Sequence, residues 1–330
     1  MVWVTFLVSA ALIVLAASQL AKYGDVIALR TGLGGMFIGV LLMAGATSLP
    51  ELLTTINSLS QGVPNLAAGN LFGSNLFNMF LLAVIDQLHR QDRILRKAAL
   101  KHAVTGSLTV FLIGLVVFLL LADIPAQLGW IGLDSIAIVA FYGFALWLIQ
   151  ANQRPSRLAG LAEPPIPADT PTLGRGLLGF GLAAGALIVI TPYMVEASAT
   201  IAEITGLGTT FVGTTLVAVV TSLPELVTTI VAVRLGASDM AIGNLFGSNL
   251  FNMFALGLTD FFFLPGRYLA VIDPAFLLVG MLGLLMTGLG LIGNLVRLER
   301  RVLIFEIDAL ALILLYFGGL WLLYSKGVGP

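Results

Sequence analysis

The chain has 330 residues, 58% of them hydrophobic and only 10% charged, with a mean hydropathy of +1.04. Soluble proteins carry about 25% charged residues, so a water-soluble fold is excluded. Nucleic-acid binding goes with it, because 16 Lys+Arg against 17 Asp+Glu leave no basic excess for phosphates.

A helix needs roughly 20 mostly apolar residues to cross the hydrocarbon. In chain order, charges and turn formers mark out spans near 2–21, 33–60, 66–85, 102–122, 129–150, 176–195, 207–233, 240–259, 271–293 and 303–324, ten in all. The first opens Met-Val-Trp-Val-Thr-Phe without a basic n-region, so it is expected to be retained as a helix. The second and seventh are interrupted by Pro50 and Pro224, and a proline inside a membrane helix removes a backbone bond and kinks it. With the N-terminus outside, the inner loops hold 14 Lys and Arg and the outer ones two, Arg267 and Lys326. The positive-inside rule then places both termini outside. The stretch 152–173 carries five prolines and reads as a cytoplasmic linker between two halves, 1–151 and 174–330. The basic run from Arg90 to Lys101 is explained by the same charge bias.

The halves are related. Shifting the chain by 174 residues aligns Phe37–Phe80 with Phe211–Phe254 without a gap, and 27 of those 44 positions are identical. T-S-L-P-E-L at Thr47–Leu52 recurs at Thr221–Leu226, and G-N-L-F-G-S-N-L-F-N-M-F at Gly69–Phe80 recurs at Gly243–Phe254. Five spans per half is an odd number, so the second half is expected to enter from the opposite side. The expected fold is therefore all-α and polytopic, ten helices in two inverted five-helix repeats with interrupted core helices. Such inverted repeats are a recurring plan of secondary transporters.

Two carboxylates, Glu51 and Glu225, fall deep inside a span and recur in both halves. A carboxylate at that depth marks a functional site by default, and no Lys or Arg lies mid-span to pair with it. Thr47 and Thr221 share a helix face with them at i−4, and Ser48 and Ser222 add hydroxyls. Pro50 and Pro224 are expected to leave the carbonyls of Ala46 and Val220 free. Asn70, Ser74 and Asn78 form a polar stripe at i, i+4, i+8, as do Asn244, Ser248 and Asn252, with Asn75 and Asn249 one position round. Gly69 and Gly73, like Gly243 and Gly247, are spaced to let a neighbouring helix approach. Oxygen ligands of mixed kind suit Ca²⁺ and Na⁺ rather than zinc or copper.

A-x-x-T-S-L-P-E followed by G-N-L-F-G-S-N-L-F-N, twice and inverted, resembles the alpha-repeats of the cation/calcium antiporter superfamily, close to its prokaryotic sodium/calcium exchangers. The resemblance implies that Glu51 and Glu225 bind Ca²⁺ and also serve sodium. It implies oxygens from Thr47 and Thr221, sodium-binding carbonyls at Ala44 and Ala218, and hydroxyl ligands at Ser48, Ser74, Ser222 and Ser248. Asn78 matches a central amide. Asn252 stands where some members carry Asp, which resembles the potassium-independent exchangers. The implied activity is electrogenic antiport of three Na⁺ for one Ca²⁺ by alternating access. A proton/calcium antiporter using the same glutamates, or a cation channel, stays open at this point. No enzyme activity and no cofactor is expected; the partners are inorganic cations and the bilayer. Asp86 and Asp260, at helix ends, are assigned no role. Glu196 and Glu203 read as plain acids beyond the sixth span.

Overall fold

A computed structural model describes residues 1–31, 44–88, 99–158, 170–234, 238–295, 301–302 and 305–326. Helices dominate because a bilayer offers no water to unpaired backbone groups, and a helix satisfies its own. They are α1 (Val2–Arg30), α2 (Leu49–Ser60), α3 (Pro64–Leu88), α4 (Ala99–Ala122), α5 (Leu133–Leu158), α6 (Leu173–Thr205), α7 (Gly208–Thr221), α8 (Leu223–Arg234), α9 (Ser238–Thr259), α10 (Phe276–Leu295) and α11 (Ile307–Ser325). Two antiparallel hairpins, Gln127–Leu128 with Ile131–Gly132 and Arg301–Val302 with Phe305–Glu306, precede α5 and α11. The first turns through Gly129, whose φ of +66° suits glycine.

Seven helices among the described residues are long and apolar enough to cross a membrane: α1, α3, α4, α5, α6, α10 and α11. The pair α7 and α8, bent by 41° at its break, makes an eighth. The remaining two expected spans fall short for separable reasons. Helix α9 is 22 residues long, and it shares the polar stripe of α3 but follows it with a shorter apolar run, A-L-G-L against L-L-A-V-I. Of the span near 33–60, residues 32–43 lie outside the described residues. The chain is a multi-pass membrane protein. Its surface agrees, since Leu7, Phe111, Phe118, Leu182, Leu314, Phe317 and Trp321 are exposed on it.

Several elements run longer than their apolar cores. Helix α1 reaches Arg30, and the Arg30 guanidinium donates to the carbonyls of Pro171 (2.9 Å) and Thr170 at the start of α6. Helix α5 reaches Leu158, so the first residues of the expected linker are helical; 159–169 lie outside the described residues. Helix α6 continues to Thr205 and stops at Gly206, whose φ of +67° is a left-handed cap. Glu196 and Glu203 therefore sit inside α6, both exposed, rather than beyond it.

Two apolar cores hold the helices. One gathers α3, α4, α5, α9, α10 and α11 around Phe72, Leu76, Phe246, Leu250 and Phe276. The other joins α1, α6 and α7 through Ile13, Leu20, Leu187, Met194 and Val217. At the boundary, α3 meets α7 with almost no side chain between them. A Cβ at Gly69 would lie 2.8 Å from the Thr214 nitrogen, and one at Gly73 would collide with the Thr214 carbonyl. Residues Gly213–Val217 form a π turn at this contact. The Gly-x-x-x-Gly spacing thus does what its sequence suggests.

Candidate cation-binding site

The breaks in both core segments sit at serine, two residues before each proline. Ser48 has φ −88° and ψ 5°, and Ser222 has φ −89° and ψ 5°, so two copies of T-S-L-P-E fold alike. Pro50 and Pro224 lie in the first turns of α2 and α8, where a helix has no backbone bond for them to break. The carbonyl of Ala44 accepts from Ser48 N (3.0 Å) and Thr47 Oγ1 (3.1 Å), and that of Ala218 accepts from Ser222 N (3.1 Å) and Thr221 Oγ1 (3.3 Å).

These breaks carry Glu51 and Glu225 into the protein, where both are completely buried. Each is held by the other half. Ser222 Oγ donates to Glu51 Oε1 at 3.0 Å, and Ser48 Oγ donates to Glu225 Oε1 at 3.0 Å. Ser248 Oγ adds a second bond to Glu225 Oε1 at 3.3 Å. Ser74 lies beside the Glu51 carboxylate, which also feels the charge of Glu225. The second oxygen of each carboxylate, Oε2, has no hydrogen-bond partner, and neither have Ser74 Oγ, Asn78 Oδ1 and Asn252 Oδ1. Buried oxygens are almost always paired. Five without partners in two matching motifs, two of them on carboxylates, form a set of acceptors suited to a hard cation.

The asparagines divide into two duties. Asn70 Nδ2 donates to the Glu51 carbonyl (2.9 Å) and to Thr55 Oγ1 (3.0 Å), while its Oδ1 accepts from Thr221 Oγ1 (2.8 Å). In the other copy Asn244 Nδ2 donates to Thr228 Oγ1 (3.0 Å), and Thr47 Oγ1 reaches Asn244 Oδ1 at 3.5 Å. These two clamp the broken helices from the side. Deeper along the stripes, Asn78 Nδ2 donates to Asn249 Oδ1 (2.9 Å) and Asn252 Nδ2 to Asn75 Oδ1 (3.1 Å). The expected ligands at 44, 47, 48, 51, 74 and 78, and at 218, 221, 222, 225, 248 and 252, all fall on these four core segments. The partners Thr55 and Thr228 were missed. Their only signal is the T-T that follows both T-S-L-P-E-L motifs.

Asp260 has a structural duty that its sequence position did not reveal. Just past α9, its carboxylate accepts from Gly132 N (2.8 Å) and Tyr268 N (2.6 Å) and so ties two loops together. Burial pushes this carboxyl above the usual range, and those two N–H bonds pull it back. Beside it, Arg267 bridges Asp134 (2.8 Å) and Asp123 (3.2 Å). Among the described residues no cluster of three or more His, Cys, Asp or Glu could hold a metal. A cation here must draw on two carboxylates and neutral oxygens.

The chain matches the model of the sodium/calcium exchanger protein family over residues 1–150 and 175–325. It belongs to that family. CaxA of Alkalimonas amylolytica, named as a candidate antiporter, is 28% identical over 97% of this chain and 98% of its own length. The fold is similar to that of the sodium-calcium exchanger NCX_Mj, with a TM-score of 0.61 at 22% identity over 97% of this chain and 99% of that one. It is also similar to the H⁺/Ca²⁺ exchanger CAX, with a TM-score of 0.65 at 15% identity over 99% and 89%. The family is one of cation/calcium exchangers, a transporter family and not an enzyme family. Sodium-coupled and proton-coupled exchangers share the architecture, so fold alone does not choose between them.

Proposed function

We propose that the protein is a sodium-driven calcium antiporter that works by alternating access, with ten membrane helices in two inverted repeats. One observation carries the reading: Glu51 and Glu225 are fully buried, each held through one oxygen by a serine of the opposite half, each with the other oxygen unpartnered. Two carboxylates supply the charge that neutralises one Ca²⁺ in a low-dielectric site. Ser74, Asn78 and Asn252 supply neutral oxygens. The same carboxylates, with Ser48, Ser222, Ser248, Thr47, Thr221 and the carbonyls of Ala44 and Ala218, serve sodium when calcium leaves. Those two carbonyls already accept two bonds each, so sodium there displaces the threonine hydroxyls.

Sodium is favoured over protons because hydroxyl and carbonyl oxygens can ligate Na⁺ and contribute nothing to a protonation. Both termini lie outside and the central linker in the cytoplasm. The test is Ca²⁺ uptake into proteoliposomes under separate sodium and proton gradients. Uptake driven by sodium at equal pH supports the proposal; uptake driven by protons in the absence of sodium makes the protein a proton/calcium antiporter instead.

A further inference from the structure

We infer that Asn249 is a positioning residue for the ion site: it fixes the amide of Asn78 so that its oxygen, not its nitrogen, faces the cation. The inference rests on the cation site proposed above and names a residue outside its ligand set. An amide side chain can be turned over by 180° with little change of shape, and the two orientations are opposite in charge to a cation. Something must choose between them. Here the choice traces back to the main chain. Asn249 Nδ2 donates to the carbonyl oxygen of Asn75 at 3.3 Å, and a carbonyl can only accept. That bond leaves Asn249 Oδ1 on the opposite side, where it accepts from Asn78 Nδ2 at 2.9 Å. With its nitrogen so engaged, Asn78 turns Oδ1 away, and that atom is buried without a partner. Asn78 stands one helical turn from Ser74, which lies beside Glu51.

The other copy is built differently. Asn252 Nδ2 donates to Asn75 Oδ1 at 3.1 Å, but Asn75 Nδ2 is itself buried without a partner, so this amide pair lacks the main-chain anchor. Asn249 is the anchored one.

An Asp at position 78 gives the test, because both of its side-chain oxygens are acceptors and it has no orientation to lose. Ca²⁺ is titrated calorimetrically into the purified full-length protein, wild type and variants. Asn249→Ala, and Asn249→Leu, which keeps the volume filled, are each expected to weaken Ca²⁺ binding by about 10- to 100-fold, the usual effect of removing the group that orients a ligand. In an Asn78→Asp background the same substitutions should shift it by less than about threefold, because the amide orientation that they disturb is already gone; such non-additivity is the mark of two residues coupled by contact. Equal losses in both backgrounds would mean that Asn249 merely packs the helices, and no loss in the Asn78 background would mean that it does nothing for the site. Either result overturns the inference while Ca²⁺ binding by the wild type stands. A wild-type chain that takes no Ca²⁺ instead overturns the site and this inference with it.

Discussion

Ser222 and Ser48 each commit a hydroxyl proton to the glutamate of the opposite half, both at 3.0 Å. Hydrogen bonds to a charged group contribute about 1.5–3 kcal/mol. Ser222→Ala and Ser48→Ala should therefore each raise the Ca²⁺ concentration for half-maximal exchange by about tenfold or more; an unchanged value in either would show that the cross-bond does not hold its carboxylate. The burial of the two carboxylates is legible in the sequence. A carboxylate mid-span, repeated at the same offset, is too costly to be incidental, so Glu51 and Glu225 stood out at once. Their cross-pairing did not, because spacing tells which residues share a helix face and not which helix that face meets. Asp260 was illegible for the same reason. Its partners are main-chain N–H groups of Gly132 and Tyr268, which any residue but proline could supply.

At the scale of helices, the close approach of α3 and α7 turns on Gly73. A Cβ there would collide with the Thr214 carbonyl of the π turn and with the Ala218 Cβ just past it. Backbone cannot yield as the end of a flexible side chain can. Overpacking costs typically 1–3 kcal/mol. We expect Gly73→Ala at or beyond the top of that range, read as the midpoint of thermal unfolding in detergent; an unchanged midpoint would mean that the two helices part without cost. A second element-scale prediction concerns the loops. Arg267→Ala leaves the fully buried Asp134 without its counter-charge, which should lower stability by about 3 kcal/mol; an unchanged melting midpoint would mean that water reaches Asp134. The Gly-x-x-x-Gly spacing announced a close approach. The π turn it meets had no local signature, since it arises where Gly213 lets the backbone of α7 press on Leu66 and Gly69. Helix lengths were under-read because Ala, Thr and Glu continue α6 past the end of its apolar run, as far as Gly206.

For the whole molecule, the alternation of apolar spans and basic loops was plain in the sequence, and the repeat made the two halves visible. What blurred the count of spans is local. Helices α3 and α9 share one polar stripe, and α9 differs by the shorter apolar run after it, A-L-G-L against L-L-A-V-I. Charge sets the last consequence. With two ionised glutamates and neutral asparagines at 78 and 252, the proposed site would balance one Ca²⁺ or two Na⁺, and the third sodium of the three-for-one exchange that the resemblance implies would leave one net positive charge to move. Moving it is worth about 2.3 kcal/mol per 100 mV. Vesicles loaded with sodium should take up Ca²⁺ faster when their interior is made positive, without any potassium; indifference to voltage would mean two sodium ions per calcium.

In the proposed function two glutamates, one from each half, hold a single calcium ion between them. Calorimetric titration of Ca²⁺ into the purified protein tests it most directly, with Glu51→Gln and Glu225→Gln alongside the wild type. One Ca²⁺ per chain is expected in the wild type and none in either variant, each variant still eluting as a folded protein. Two sites per chain, with each substitution removing one and sparing the other, would contradict it.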